Sequence, residues 1–245
     1  VVEKDYVLSW ILAGIFANES LAPRWVFKGG TCLKKCYFET YRFSEDLDFT
    51  VTDESHLSQD FLLTAFRQTA AWVYERTGIE IPADKIRFEI FKNRRGKLAA
   101  EGRLSYRGPI APSGGDLPRI KLDLTVDEIV VMPAAKRRVF HSYSDDPEGG
   151  ITARCYAYEE AFAEKVRALG DRARPRDLYD VINLFRNGDM RPEARIILDV
   201  LTKKCAFKGL PVPTLAALDA HREELEGDWG NMLGHQLPSL PPVAV

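Results

Sequence analysis

The chain has 245 residues, 45% of them hydrophobic and 29% charged, and 34 Lys and Arg against 36 Asp and Glu leave a formal net charge of −2. That length holds one large domain or two small ones around a real core, and nothing in the global charge announces a nucleic-acid partner. No apolar run approaches the ~20 residues that span a bilayer, so the expectation is a cytoplasmic protein without a membrane.

In chain order, residues 4–18 predict a buried helix from the broad apolar stripe of Tyr6, Val7, Trp10, Ile11, Ile15 and Phe16. Preceded by Glu3, Lys4 and Asp5 and containing Trp10 and Gly14, it does not read as a signal peptide. Trp25–Phe27 is a short strand stopped by Gly29 and Gly30, and a helix follows over Thr31–Phe38. Leu47–Val51 is a strand with Asp48 and Thr50 on one face, and Leu57–Thr77 a long helix closed by Gly78.

Ile86–Phe91, Leu98–Tyr106 and Ile120–Val126 predict three more strands, with a loop rich in Gly and Pro, Gly108–Pro118, before the last. In that last strand Ile120, Leu122, Leu124 and Val126 share one face, Lys121, Asp123 and Thr125 the other. Val139–Tyr143 is a further strand candidate. Past the loop Asp145–Gly150 the pattern turns helical: Glu159–Leu169, then a helix opening on Pro175 with an apolar stripe of Leu178, Val181, Ile182 and Phe185. The layout is α+β, with an α/β part over residues 1–150, a helical part over 151–245 and an irregular tail from about 235.

Chemistry concentrates in few places. At Phe27-Lys28-Gly29-Gly30-Thr31 a strand turns into a helix, where two glycines let a phosphate approach backbone N–H groups at the positive helix end. A tight turn needs the same glycines, and Thr31 serves either as a cap or as a phosphate ligand. Asp46 and Asp48, two residues apart on a strand, point to one face and repel each other unless a cation sits between them. An edge strand with two solvated acids gives the same pattern. If the Asp123 strand neighbours theirs, three carboxylates converge. Such a set holds two divalent ions for in-line attack on phosphorus, Asp46 and Asp48 gripping the metals of a triphosphate and Asp123 the metal at an acceptor hydroxyl.

Lys165 lies among Phe162, Val166 and Leu169 on an inward helix face, which calls for an anionic partner or for snorkelling. Arg176 and Asp180 are i,i+4 neighbours able to pair, and Glu159 and Glu160 read as helix-start acids. Basic residues cluster at Lys92, Arg94, Arg95 and Lys97, at Lys136–Arg138, and at Lys203, Lys204 and Lys208, suiting a polyanion or a solvated surface. Cys32 and Cys36 are one helical turn apart with no Cys or His near them in sequence to complete a zinc site, so the four cysteines read as reduced and mostly buried. There is no Gly-x-Ser-x-Gly elbow, His-Glu-x-x-His helix or kinase catalytic loop.

Phe27-Lys-Gly-Gly-Thr-Cys-Leu-Lys-Lys, then Arg42-Phe-Ser-Glu-Asp-Leu-Asp-Phe, then Glu160, Lys165 and Arg176-Asp-Leu-Tyr-Asp180 resemble the AbiEii/AbiGii toxin family over roughly residues 3–190. The resemblance implies a DNA polymerase β-type nucleotidyltransferase domain, a mixed sheet with helices, followed by an α-helical domain. It implies Gly30 and Thr31 in the place of the superfamily's Gly-Ser, with Lys28 and Gly29 beside them, and Asp46 and Asp48 as the metal-binding pair with Ser44 two residues ahead. Asp123 fits the third carboxylate, and Arg42, Lys165 and Asp180 fit the nucleotide site. It further implies Mg²⁺ (or Mn²⁺ in its place), an NTP substrate, tRNA or another RNA as acceptor, and a cognate antitoxin. Two other readings stand beside an RNA-modifying toxin: transfer to a protein or small molecule, and a non-catalytic binding module on the same fold.

Overall fold

The computed structural model describes residues 2–110, 116–190 and 192–243, so the centre of the predicted Gly108–Pro118 loop lies outside the described residues. The chain forms two compact units. The first comprises Val1–Glu39, Glu45–Asp127 and Ala134–Cys155, the second Thr40–Ser44, Glu128–Pro133 and Tyr156–Val245.

The first unit is α/β. Helix α1 (Val2–Ala17) is buried without a break from Val7 to Ile15, as its apolar composition predicts. It packs on α3 (Gln59–Thr77) at Gly14, where a Cβ would stand 2.9 Å from the Thr69 methyl group. Between α1 and α3 come strand β1 (Trp25–Lys28), helix α2 (Gly29–Cys36) and strand β2 (Asp46–Val51). Strands β3 (Ile86–Lys92), β4 (Leu98–Ser105), β5 (Arg119–Thr125), β6 (Ala135–Arg138) and β7 (Thr152–Cys155) complete a seven-stranded sheet in the order β3-β4-β5-β2-β1-β7-β6. β2–β5 and β1–β7 run parallel and the remaining neighbours antiparallel. Trp25, Phe49 and Phe66 meet with ring centroids 5.2 and 5.8 Å apart, and each fully buried ring contributes roughly 1.5–3 kcal/mol. The Trp25 indole donates to His56 Nδ1 at 3.1 Å, so its polar edge is satisfied.

Two expectations here need correction. Val139–Tyr143 is not a strand; pairing instead joins β6 to β7. β6 reads Ala-Lys-Arg-Arg and carries no apolar alternation, so only its partner makes it a strand. Helix α2 begins at Gly29, not Thr31; its cap position is Lys28, which makes no side-chain cap bond.

The second unit is helical: α4 (Tyr158–Arg172), α5 (Pro175–Arg186), α6 (Ala194–Lys208), the short α7 (Leu215–Asp219) and α8 (Arg222–Leu233). Ala163, Val200, Leu201 and Cys205 form a core with Val131, Met132, Val166, Ile196 and Ile197 against it. Lys204 is fully buried, so the predicted basic patch on α6 is not all surface. Its ammonium lies 3.0 Å from Glu160 and 3.1 Å from Glu164. Glu160 is itself wholly buried and accepts from the backbone N–H groups of Val131 and Met132, both at 2.9 Å, so it ties a loop to the helix instead of serving only as a helix-start acid.

α5 departs from its predicted stripe. Its buried positions are Pro175, Asp177, Asp180 and Leu184, while Phe185 is 79% exposed. Two acids three residues apart occupy the inward face because basic partners wait there, and that charge pairing outranks the apolar periodicity.

Candidate active site

Strand register builds the site in rows. Side chains of directly opposed residues project from the same face of a sheet. Asp48 of β2 is opposed by Asp123 of β5 on one side and by Lys28 of β1 on the other. Asp123 is opposed in turn by Glu101 of β4, and Glu101 by Glu89 of β3. One strand step away, Asp46 stands opposite Lys121, Lys121 opposite Arg103, and Arg103 opposite Arg87. The polar face of the sheet thus carries an acidic row and, beside it, a basic row that ends on Asp46. The opposite face supplies the core: Leu47, Phe49, Leu122 and Leu124 are buried.

The turn from β1 into α2 closes over this face. Gly29 has φ +80, and a Cβ there would collide with the Asp48 carboxylate at Oδ2. The Asp48 carboxylate therefore lies directly against the first residue of α2, at the helix end whose free N–H groups and dipole favour negative charge. Gly30 and Thr31 follow in the first turn and are buried.

Like charge marks Asp123. Although Asp123 is exposed at the surface, partial desolvation by its packed neighbours first, then the charges of Asp46 and Glu101, push its carboxyl above the ordinary 3.8, with Lys121 and Lys28 pulling the other way. A hard divalent cation with oxygen ligands would relieve that repulsion, so the donor set and register fit one. The side chains are not yet gathered around a point: among the described residues, the oxygens of Asp46, Asp48 and Asp123 do not all come within 4.8 Å of one another. The predicted convergence is one of face and strand order, with Asp48 turned toward Gly29.

The helical unit holds a second charged cluster. Asp180 is fully buried, and the Arg42 guanidinium grips it through Nε at 2.7 Å and a terminal nitrogen at 2.8 Å. Lys165 reaches Asp180 at 2.7 Å and Asp177 at 3.3 Å. The Tyr41 hydroxyl also donates to Asp180, at 2.5 Å. Burial alone would raise the Asp180 carboxyl, but Lys165 and Arg42 outweigh it and hold it down to about 2. Lys165 neither snorkels nor stands alone, and Asp180 is satisfied by Arg42 and Lys165 rather than by Arg176, which is exposed. Ser44, half-buried, closes the short segment that brings Arg42 to this unit.

The sequence model of the family described as nucleotidyl transferase AbiEii toxin, Type IV TA system, matches residues 10–244. The chain belongs to the AbiEii family. It is accordingly a nucleotidyltransferase that uses an NTP, and the toxin half of a type IV toxin–antitoxin pair. Among solved structures it is similar to the nucleotidyltransferase toxin MenT4 of Mycobacterium tuberculosis H37Rv, at 18% identity over 94% of this chain and 92% of that one, with a TM-score of 0.45. No curated protein sequence matches it. Among the described residues no helix is long and apolar enough to cross a membrane.

Sequence reasoning missed two features of this AbiEii toxin. Glu101 is a single acid on a strand with no local signature, and only the β4–β5 register sets it beside Asp123. Cys155 lies far along the chain from Cys32 and Cys36 yet joins them; the β1–β7 pairing that brings it there left no trace in the hydropathy pattern.

Proposed function

We propose that this toxin moves a nucleoside monophosphate from an NTP to the 3′ end of tRNA, with Mg²⁺ or Mn²⁺ bound by Asp46, Asp48 and Asp123. The observation that carries the reading is the Asp48–Asp123 register on the polar face, with Gly29 pressed against Asp48. A divalent ion, when bound, would screen the triphosphate and make the acceptor hydroxyl more acidic.

This chain's own residues do the rest. The N–H groups at Gly29, Gly30 and Thr31 face phosphate oxygens at the start of α2. Lys28, across from Asp48, offsets phosphate charge. The acceptor oxygen attacks the α-phosphorus, pyrophosphate leaves, and the hydroxyl proton passes to solvent, with Asp123 held by its register on the same face as Asp48. Nucleotide binding by Arg42, Ser44, Lys165 and Asp180 rests on the family resemblance.

The RNA acceptor is supported by the exposed basic row of Arg87, Arg103 and Lys121 and by exposed Lys92, Arg94 and Lys97 at the β3–β4 hairpin. The site of action is the cytoplasm, where NTP and tRNA meet. The test is a transfer assay with each α-labelled NTP, Mg²⁺ and total tRNA, beside an Asp46→Ala/Asp48→Ala double variant. Label on tRNA with the wild type alone is the expected result. Label on protein or on a small molecule would overturn the acceptor, and equal labelling by the double variant would overturn the site.

A further inference from the structure

Cys32 and Cys36, one turn apart on α2, meet Cys155 at the end of β7, and their three sulfur atoms all lie within 4.8 Å of one another. All three residues are at most 1% exposed. The sheet explains the meeting: Cys155 stands in parallel register with Phe27 on β1, and α2 follows β1 without a linker. We infer that Cys32, Cys36 and Cys155 form a structural site for one thiophilic cation, Zn²⁺ or Cu⁺.

The spacing suits it. Metal–sulfur bonds of about 2.3 Å set three sulfurs around one ion roughly 4 Å apart, a separation compatible with three sulfurs that all lie within 4.8 Å of one another. The ligands are all soft, which favours Cu⁺ or Zn²⁺ over Mg²⁺. Hydrogen bonds from Cys32 and Cys36 hold the Cys155 thiol well below its ordinary value, against burial, with Tyr37 and Arg137 assisting. Burial raises Cys32 above its ordinary value, and the bond to Cys155 does the same for Cys36.

The surroundings complete the site. The Tyr37 hydroxyl lies 3.9 Å from the Cys155 sulfur, close enough to hydrogen-bond with it in either direction. The Arg137 guanidinium stacks 4.9 Å from the Tyr37 ring centre and donates to the Cys36 carbonyl at 3.3 Å. It brings positive charge beside a site that, with three thiolates and Zn²⁺, carries one net negative charge. The ion binds the three sulfurs as thiolates, so S–H protons leave as it enters. Bound there, it fastens the far end of the helix that opens at Gly29 to strand β7.

The full chain, reduced, stripped with a chelator and kept under argon, is titrated with Zn²⁺ or Cu⁺ against a chromophoric competitor. One ion per chain is expected, and the arm that saturates names the metal. Affinity should fall in Cys36→Ala and Cys155→Ser by more than the roughly 100-fold that loss of a supporting partner costs, and stay unchanged in Cys205→Ser, whose cysteine belongs to the other unit. In weak buffer the wild type should release protons as the ion binds and gain Tm; both are read without any variant, so they decide even where a cysteine variant does not fold. Failure of both ions to compete, binding retained in Cys155→Ser, or binding lost in Cys205→Ser would each overturn the assignment.

Discussion

Asp48 on β2 and Asp123 on β5 stand opposite each other in parallel register, and Asp123 has Glu101 on its other side. In the ion-free protein this acidic row works against folding. A carboxyl raised above 3.8 costs nothing below that pH, where it is protonated folded and unfolded alike. The penalty grows as pH climbs through the raised value and is complete at neutrality. Asp123→Asn should therefore stabilise the ion-free protein at pH 7, by about 0.5 kcal/mol once screening at this exposed position is allowed for. The gain should vanish toward pH 3 in urea melts followed by circular dichroism. The same variant should lose about 100-fold or more in nucleotide transfer. A Tm unchanged at pH 7 would remove the repulsion argument.

Glu101→Gln tests the neighbour that only register shows. Removing its charge should lower the Asp123 carboxyl of the ion-free protein, so its titration followed by NMR should move to lower pH. At neutral pH the rate should change less than about tenfold, since Glu101 acts through Asp123. If that titration stays where it is, Glu101 has no hand in setting Asp123.

Asp180→Ala should destabilise the protein by about 3–5 kcal/mol, because it leaves the buried charges of Arg42 and Lys165 without their partner. Asp180 is held down to about 2, so its contribution is present above 3.8 and is lost as pH falls from there through 2. Chemical denaturation at pH 7 should separate variant and wild type, and at pH 2 the gap should narrow. A gap that is constant with pH would mean the loss is one of packing.

Much of this was legible in the sequence because it is local. The alternation along 120–126 and the i,i+2 pair Asp46 and Asp48 name their faces unaided, and the order Gly-Gly then Asp-x-Asp carries the family. What was hidden is non-local. β6 and β7 exist through pairing and have too few apolar residues to announce themselves. The inward face of α5 was misread since Asp177 and Asp180 look like solvent residues until Arg172, Arg42 and Lys165 are placed beside them. The gathering of Asp46, Asp48 and Asp123 was predicted as a convergence of carboxylates; face and strand order carry it, while the side chains remain spread.

Every amino acid except glycine has a Cβ, so position 29 has no conservative replacement. Whatever codon change arises there drives the backbone from φ +80 or displaces the Asp48 carboxylate, while the core beneath β2 is untouched. Cells that survive expression of the toxin without its antitoxin should therefore carry missense changes at codon 29 more often than at exposed positions such as Arg24, and their protein should remain folded and abundant. The genetics of escape would read out, one survivor at a time, how closely this helix and this carboxylate are fitted.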